Sequence, residues 1–217
     1  MMLELLWIAC VWSAYGALHS LFSAPWFKAK IEQTWPSAWP AYRLIYTLVA
    51  VVLLLPTVWV TQQYDAAPFW RVPDWLAWPT LVMALLGFIW SLKWYDGATF
   101  LGLRQWRDKT GPDGVSEVFT LSPLHRYVRH PWYALGLLVL WTRDLNAAWL
   151  VAAVVITIYL VIGSRLEDNK LAARYGSAYR RYRRRVPGLI PLPGHNLSAD
   201  EARMLETQTH QDFQAPR

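Results

Sequence analysis

The 217-residue sequence contains one cysteine, Cys10, and few charged residues. A single cysteine excludes an internal disulfide and a thiolate metal cluster, so we expect Cys10 to pack within its apolar run. Charged residues make up 17% of the chain, whereas soluble domains average about a quarter. Hydrophobic residues make up 55%, and there are 15 tryptophans. The composition therefore argues against an ordinary soluble domain and indicates an integral membrane protein.

The sequence also lacks a nucleic-acid-binding motif, and no His, Cys or carboxylate cluster has the spacing of metal ligands. The formal net charge is +6, but the basic residues lie beside apolar runs, as they do in the cytoplasmic loops of membrane proteins. We therefore expect the lipid bilayer as a partner, and neither nucleic acid nor a metal. The oligomeric state does not follow from the sequence.

Apolar runs predict an all-α integral membrane bundle with about five transmembrane helices. No basic run precedes the first of them and no clear cleavage site follows it, so we expect a retained helix rather than a signal peptide. The fourth is too short to cross the membrane comfortably alone, and TRDLN (142–146) reads as a turn, so the last two should form a hairpin. The predicted spans are 3–22, 44–60, 75–90, 132–141 and 147–163.

The distribution of lysine and arginine predicts the orientation of the bundle. These residues concentrate in loops 25–43 and 93–131 and after Gly163, whereas the opposite loops hold only Arg71 and Arg143. The positive-inside rule then places the N-terminus outside and the C-terminus in the cytoplasm, which suits a bacterial inner membrane.

A change in composition near Pro191 predicts the domain boundary. We expect one membrane domain over residues 1–191 and a polar cytoplasmic tail over 192–217, either a short appendage or partly disordered. Within this tail, a capping-box pattern predicts a helix that begins near Ser198.

Polar residues lie immediately before and after the predicted hairpin. RYVRHPWY (126–133) precedes it, and a polar segment, 164–191, follows it. Because both lie on the same predicted side of the membrane, we expect them to build one polar site at its surface. Each also has an ordinary explanation, since Arg126 and Arg129 could be positive-inside anchors and His130 could merely cap the helix.

The segment after the hairpin holds a carboxylate and a set of tyrosines. Glu167 follows an apolar span closely, where a carboxylate is costly and is usually paired or functional. A structural salt bridge to Arg165 or Lys170 stays open as the alternative. Three tyrosines share one helix face at spacing i, i+4 and i+7, although an interfacial aromatic belt would also suit them: Tyr175, Tyr179 and Tyr182.

The two polar segments on either side of the predicted hairpin together resemble a known membrane superfamily. Arg129, His130, Pro131 and Tyr133, then a hairpin and RLEDNKLAARYGSAYRRYRRRVPGLIP (165–191), resemble the isoprenylcysteine carboxyl methyltransferases and phospholipid methyltransferases. Three further stretches resemble methanethiol S-methyltransferases in particular: LHSLFSAPWFKAKI (18–31), AYRLIYTLVAV (41–51) and DGATFLGLRQ (96–105). The resemblance spans most of residues 15–191.

The resemblance implies a methyltransferase that uses S-adenosylmethionine in a pocket on the cytoplasmic face. Glu167 would hold the amino or ribose groups of this cofactor, and Leu189 and Ile190 would cover its adenine. A thiol acceptor must react as the thiolate, and Arg104 and Arg129 are the candidate catalytic cations that would stabilise or orient this anion. The remaining candidate cofactor-binding residues are Tyr127, His130, Tyr133 and Tyr179.

Other functions stay open at this stage. Within the same chemistry, the acceptor could be a small hydrophobic molecule, a lipid amine or a prenylcysteine-like carboxylate rather than a thiol such as methanethiol. The stretch around His19 also resembles haem-binding membrane proteins of the nitric-oxide-reduction and zeta-carotene-isomerase type, in which His19 would be a haem ligand. A non-catalytic membrane scaffold is the third alternative.

Overall fold

A computed structural model describes residues 2–112 and 119–214, which fold into α-helices joined by loops and short 3₁₀ turns. The all-α prediction is thereby confirmed. The helices are α1 (Met2–Ser23), α2 (Pro25–Thr34), α3 (Tyr42–Gln62), α4 (Asp74–Ser91), α5 (Gly97–Leu101), α6 (Leu103–Asp108), α7 (Pro131–Trp141), α8 (Ala147–Arg185) and α9 (Ala199–Gln214).

Four helices in the described part of the chain are long and apolar enough to cross a membrane: α1, α3, α4 and α8. The fourth predicted span is α7, which has 11 residues and is too short to cross a hydrocarbon layer about 30 Å thick at 1.5 Å per residue. The four long apolar helices therefore indicate an integral membrane protein. The count of five crossings and the orientation stay predictions. The charged part of α8 begins at Arg165, so residues from there onward lie beyond its apolar stretch.

The chain divides into two compact units, and the first comprises Met1–Arg71, Tyr95–Ser116 and Asp144–Ile156. Its apolar core joins α1 to the start of α8 through Ile8, Trp12, Ala148 and Ala152, and Leu54 and Val58 of α3 pack against these residues. The indole nitrogen of Trp12 donates to the Thr61 hydroxyl at 2.9 Å. This bond satisfies both polar groups in a place where water cannot reach them.

The second unit comprises Val72–Trp94, Glu117–Arg143 and Thr157–Arg217. Helices α4 and α7 pack together in it, where the Trp132 indole donates to the Ser91 hydroxyl at 2.7 Å. A separate core joins α8 and α9 to the segment before α7. Its buried members are Phe119, Leu121, Tyr175, Tyr179, Tyr182, Val186, Leu197 and Ala202.

The predicted tail contains the predicted capped helix, α9. The backbone N–H of Ser198 donates to the Glu201 carboxylate at 2.7 Å, and the N–H of Glu201 donates to the Ser198 hydroxyl at 3.1 Å, which is a capping box. The Glu206 carboxylate accepts from the Leu121 N–H at 2.6 Å. Helix α9 therefore packs as part of the second unit, while the last residues of the predicted tail, 215–217, lie outside the described residues.

Helix α8 is interrupted at Gly176, where φ is 58° and ψ is −129°. Only glycine reaches this combination readily, because a Cβ would clash with the backbone. The interruption lies between Tyr175 and Tyr179, so the three tyrosines do not follow one uninterrupted helix as the spacing predicted. They nevertheless share the same buried core, which means that Gly176 redirects the chain without separating them.

We expect Gly176→Ala to lower the free energy of unfolding by about 1–3 kcal/mol, since alanine is strained at this φ and ψ. The measurement is the apparent unfolding midpoint of the purified protein in detergent. Gly163→Ala is the matched control, because Gly163 is helical within α8 and an added Cβ there would meet nothing within 4 Å. Equal midpoints for the two variants would contradict the strain at Gly176.

Candidate active site

An ion pair between Arg129 and Asp168 lies at the centre of a polar cluster in the second unit. Arg129 Nε donates to Asp168 Oδ1 at 3.0 Å, and Arg129 Nη2 donates to Asp168 Oδ2 at 2.6 Å. The side chains are only 11% and 2% exposed, respectively. This two-pronged geometry matches the planar guanidinium to both carboxylate oxygens and fixes the pair in orientation.

His130 connects two neighbouring carboxylates. Its Nε2 lies 3.1 Å from Asp168 Oδ1, and its Nδ1 lies 3.3 Å from Glu167 Oε2. Burial by itself lowers the pKa of His130, but the contacts with Asp168 and Glu167 outweigh burial and raise the pKa above its ordinary value. Both ring nitrogens can donate only in the protonated imidazole, so the geometry favours an imidazolium between the two carboxylates.

Asp168 also receives a hydroxyl from the tyrosine core. The Tyr179 hydroxyl donates to Asp168 Oδ1 at 2.6 Å. Burial alone would raise the pKa of Asp168, but the hydrogen bonds from His130, Arg129 and Tyr179 hold it well below its usual range. Asp168 is therefore a fully ionised buried carboxylate with each of its oxygens occupied.

The chain after α8 folds back along the start of α7. The N–H groups of Arg129 and His130 donate to the carbonyls of Pro187 and Gly188, at 2.9 and 3.0 Å. Arg129 Nη1 also donates to the Val186 carbonyl. Because these bonds use the backbone as well as the guanidinium, the segment 186–188 holds both residues in place.

Local sequence explains how Arg129 and His130 come to stand at a helix start. Pro131 occupies the first position of α7, where its missing N–H is no loss. A proline also disfavours helical geometry at the preceding residue, and His130 accordingly has φ −122° and ψ 71°. The His130 imidazole then stacks on the Tyr133 ring, with the ring centroids 5.5 Å apart and the planes 13° from parallel.

Glu167 is the accessible carboxylate of the cluster. Its side chain is 46% exposed, against 2% for Asp168 beside it. The Tyr133 hydroxyl donates to Glu167 Oε2 at 3.2 Å. The structure thus gives His130 and Tyr133 as partners of Glu167, where the sequence offered Arg165 or Lys170.

The other predicted cofactor-binding residues lie at the margin of this cluster. Tyr127 is 47% exposed, and the Arg126 guanidinium lies 5.8 Å from the centre of its ring. Leu189 is half-buried and Ile190 is 69% exposed, just beyond the segment that pairs with Arg129 and His130. Their predicted contacts with a cofactor stay predictions.

Arg104 lies in the first unit and has a local partner. Its Nη1 is 2.7 Å from Asp96 Oδ2, and both side chains are about half exposed. Asp96 also caps α5 by accepting the N–H groups of Ala98 and Thr99, at 3.0 and 3.2 Å. Hydrogen bonds from Thr99, with the Arg104 charge as a smaller cause, lower the pKa of Asp96. The role of Arg104 toward an acceptor stays a prediction.

His19, the candidate haem ligand, contacts the Tyr46 hydroxyl through Nε2 at 2.8 Å. This contact supplies a structural explanation for a histidine within α1. Within residues 2–112 and 119–214, no group of three His, Cys, Asp or Glu side chains could hold a metal ion.

Sequence reasoning missed Asp168. The signal was present as an adjacent pair of acids, Glu167 and Asp168, directly after an apolar span, where two carboxylates are costly. Adjacent helical residues point about 100° apart, so the two acids have different surroundings: Asp168 is buried and Glu167 is half exposed, although His130 contacts both. The sequence analysis selected Glu167, whereas the structure places Asp168 at the centre of the polar cluster.

The chain is similar over most of its length to several known proteins. It is 32% identical over 190 residues to the methanethiol S-methyltransferase of Pseudomonas deceptionensis, covering 82% of this chain and 69% of that protein. It is 30% identical to methanethiol S-methyltransferase 2 of Bradyrhizobium diazoefficiens, with coverages of 82% and 70%, and 30% identical to the methanethiol S-methyltransferase of Mycobacterium tuberculosis, with coverages of 82% and 75%. No protein-family model matches the chain. No solved structure matches it either.

We expect Asp168→Asn to destabilise the second unit by about 3–5 kcal/mol, because it leaves the buried Arg129 guanidinium without its counter-charge. The measurement is the unfolding midpoint in detergent. Asp108→Asn is the control, since Asp108 forms an exposed pair with Arg107 and its loss should change the midpoint little. A midpoint for Asp168→Asn as close to wild type as that of the control would show that Asp168 does not hold the cluster together.

Proposed function

Because the chain belongs to the methanethiol S-methyltransferase family, we propose that it transfers a methyl group from S-adenosylmethionine to the sulfur of methanethiol or another small thiol. The superfamily resemblance and the classification as a methyltransferase are confirmed by these relatives. The observation that carries the proposal is a similarity of about 30% identity that extends over 82% of the chain.

The chemistry of the polar cluster fits such a cofactor. S-adenosylmethionine has an ammonium group, a carboxylate, a ribose diol and a positively charged sulfonium. The half-exposed Glu167 carboxylate suits the ammonium or the ribose hydroxyls, because each would donate to it. Asp168 does not compete for these groups, since its oxygens already accept from Arg129, His130 and Tyr179. Tyr133 and the exposed Ile190 supply aromatic and apolar surface for a purine.

The residues around Glu167 would orient it for this role. His130 Nδ1 and the Tyr133 hydroxyl both point at Oε2, at 3.3 and 3.2 Å. These partners hold the pKa of Glu167 below its ordinary value, although burial by itself would raise it. Glu167 is therefore ionised at neutral pH and attracts a cationic ligand, and Asp168 acts through His130 as a positioning residue.

The reaction itself asks the protein mainly for alignment. When bound, S-adenosylmethionine supplies an electrophilic methyl group on a sulfonium sulfur. Glu167 would hold this cofactor so that its methyl carbon faces the acceptor sulfur, an arginine would attract the thiolate, and the proton of the thiol would pass to solvent. Holding groups in line can be worth about 7 kcal/mol or more. The chain's contribution is thus a fixed cofactor site and a cation for the thiolate.

The contacts of Arg129 help to decide whether Arg129 or Arg104 stabilises the thiolate. Arg129 is bound to Asp168 and to two backbone carbonyls, those of Arg183 and Val186. A guanidinium with so many partners favours a positioning role over direct contact with an acceptor. Arg104, whose side chain is 45% exposed, fits better as a cation that an anion can approach, and we retain it as the catalytic candidate.

We further propose that the site and the C-terminus face the cytoplasm of a bacterial inner membrane, with the N-terminus outside. The support is the concentration of lysine and arginine in loops 25–43 and 93–131 and after Gly163. Labelling of single introduced cysteines in spheroplasts, in a Cys10→Ala background, tests the orientation. Labelling from outside within 93–112 would overturn it.

The activity test uses the full-length protein in lipid nanodiscs with methyl-labelled S-adenosylmethionine. We expect label to appear as a volatile sulfide when methanethiol is the acceptor. A longer alkyl thiol, phosphatidylethanolamine and a prenylcysteine form the comparison panel. Label that appears in the lipid or the prenylcysteine instead of the sulfide would overturn the thiol assignment.

We expect Glu167→Gln to weaken binding of S-adenosylmethionine by at least about 1 kcal/mol, since a hydrogen bond to a charged group contributes roughly 1.5–3 kcal/mol. Isothermal titration of the purified protein measures it. Glu32→Gln, which changes an exposed carboxylate on α2, should keep wild-type affinity. Unchanged affinity in Glu167→Gln would leave Glu167 as a structural partner of His130.

We expect Arg104→Ala to reduce turnover at least roughly tenfold, with nearly unchanged affinity for S-adenosylmethionine. Arg104→Lys should recover only part of the turnover, because a point charge lacks the planar set of donors. Arg107→Ala removes a more exposed arginine from the same helix, 72% exposed against 45% for Arg104, and should have little effect. If Arg104→Ala also loses cofactor affinity, Arg104 contacts the cofactor rather than the acceptor.

A further inference from the structure

The first unit contains a cavity of about 210 Å³ where α1 ends and α3 begins. A volume of about 150 Å³ is enough to hold a benzene ring, so this cavity can take a chemical group of moderate size. The residues that matter for its chemistry are Phe22, Tyr42, Tyr46 and Phe100 on the apolar side, and Lys28 and Arg43 as the cations.

The aromatic lining is held in place by hydrogen bonds to groups of the protein. The Tyr42 hydroxyl donates to the Phe22 carbonyl at 2.6 Å, and the Tyr46 hydroxyl lies 2.8 Å from His19 Nε2. Because these hydroxyls are engaged, the two rings present mainly carbon surface. One part of the cavity therefore suits an apolar group.

The position of Arg43 beside the cavity is fixed by the turn between α5 and α6. Arg43 Nε donates to the Phe100 carbonyl at 3.1 Å. Gly102, with φ 86°, packs its backbone against Arg43 and Leu44 so closely that an added Cβ would overlap the Leu44 nitrogen. The FLGLR stretch thus has a role in the structure, which is to hold Arg43 against α3.

The cavity lies at a boundary between apolar and polar surroundings. It lies at the end of α1 and the start of α3, two helices long and apolar enough to cross a membrane, and α2 follows α1 directly. The two tryptophans near the ends of α2, Trp26 and Trp35, are 66% and 60% exposed. Exposed tryptophans with neighbouring lysines are typical of the membrane–water interface. An occupant of this cavity would therefore meet lipid on one side and water on the other.

We propose that this cavity binds the phosphate of an anionic phospholipid, with Lys28 and Arg43 at the phosphate and the aromatic side chains against the start of the acyl region. Basic pockets at the ends of membrane helices recognise such headgroups, and a guanidinium presents paired donors to phosphate oxygens. Free phosphate offers the same anionic chemistry, but it makes no use of the apolar lining. The bound lipid is a ligand that does not react, so the proposal stands apart from the methyl-transfer activity.

The test compares lipids with the full-length protein in a non-ionic detergent. We expect phosphatidylglycerol to raise the unfolding midpoint, while phosphatidylcholine with the same acyl chains does not. Sodium phosphate, at equal ionic strength, is the third arm. Equal stabilisation by the two lipids would overturn the proposal, and stabilisation by sodium phosphate alone would replace the lipid with free phosphate.

A matched pair of lysines on α2 locates the effect. Lys28 lines the cavity, whereas Lys30 is exposed and lies outside it. Lys28→Gln should reduce the phosphatidylglycerol-dependent shift by at least half, and Lys30→Gln should leave it unchanged. Equal shifts in the two variants would mean that general surface charge attracts the lipid, which overturns the site.

A second measurement distinguishes loss of lipid binding from misfolding of a variant. Mass spectrometry of lipid retained after purification should find less phosphatidylglycerol on Lys28→Gln than on wild type, and wild-type amounts on Lys28→Arg, which keeps the charge. Equal retention by Lys28→Gln and Lys28→Arg would contradict a role for this cation.

Discussion

The second unit depends on one buried carboxylate, that of Asp168. An ionised group that is 2% exposed would be strongly destabilising by itself, because burial removes its hydration. Arg129, His130 and Tyr179 replace that hydration with hydrogen bonds between 2.6 and 3.1 Å. These partners come from the start of α7 and from the part of α8 beyond Gly176, so satisfying one charge fixes the relative position of two segments. Removing any partner would leave the others buried and incompletely paired.

The same interaction separates the roles of two adjacent acids. Asp168 faces inward and is fully occupied, whereas Glu167 is half exposed and is held from one side by His130 and Tyr133. An enzyme that binds a cation at a membrane surface needs a carboxylate with a defined direction, and a buried neighbour can provide the rigid support. The pair thus combines a structural charge with a charge that a ligand can reach.

Backbone pairing around this cluster involves the end of the chain as well. The segment 186–188 bonds to Arg129 and His130, the N–H of Leu197 donates to the Arg126 carbonyl at 3.0 Å, and Glu206 accepts from Leu121. The predicted tail is therefore not only an appendage, since α9 packs on the core that includes Tyr179. Through these hydrogen bonds, residues late in the chain help to fix the geometry of the residues before α7.

Composition and short-range pattern were sufficient to predict several features of this protein. Long apolar runs require helices in a membrane because every backbone group must be paired internally, and the capping box at Ser198 and the Pro131 helix start are local rules. The family followed from motifs of adjacent letters, including those around His130 and Glu167. Three features are visible only in the folded chain: Asp168 is the buried partner, Arg129 is bound to it, and Gly176 interrupts the helix that carries the tyrosines. Neighbouring helical residues differ by about 100° in direction, and that direction is set by packing against residues distant in the sequence, which no local pattern contains.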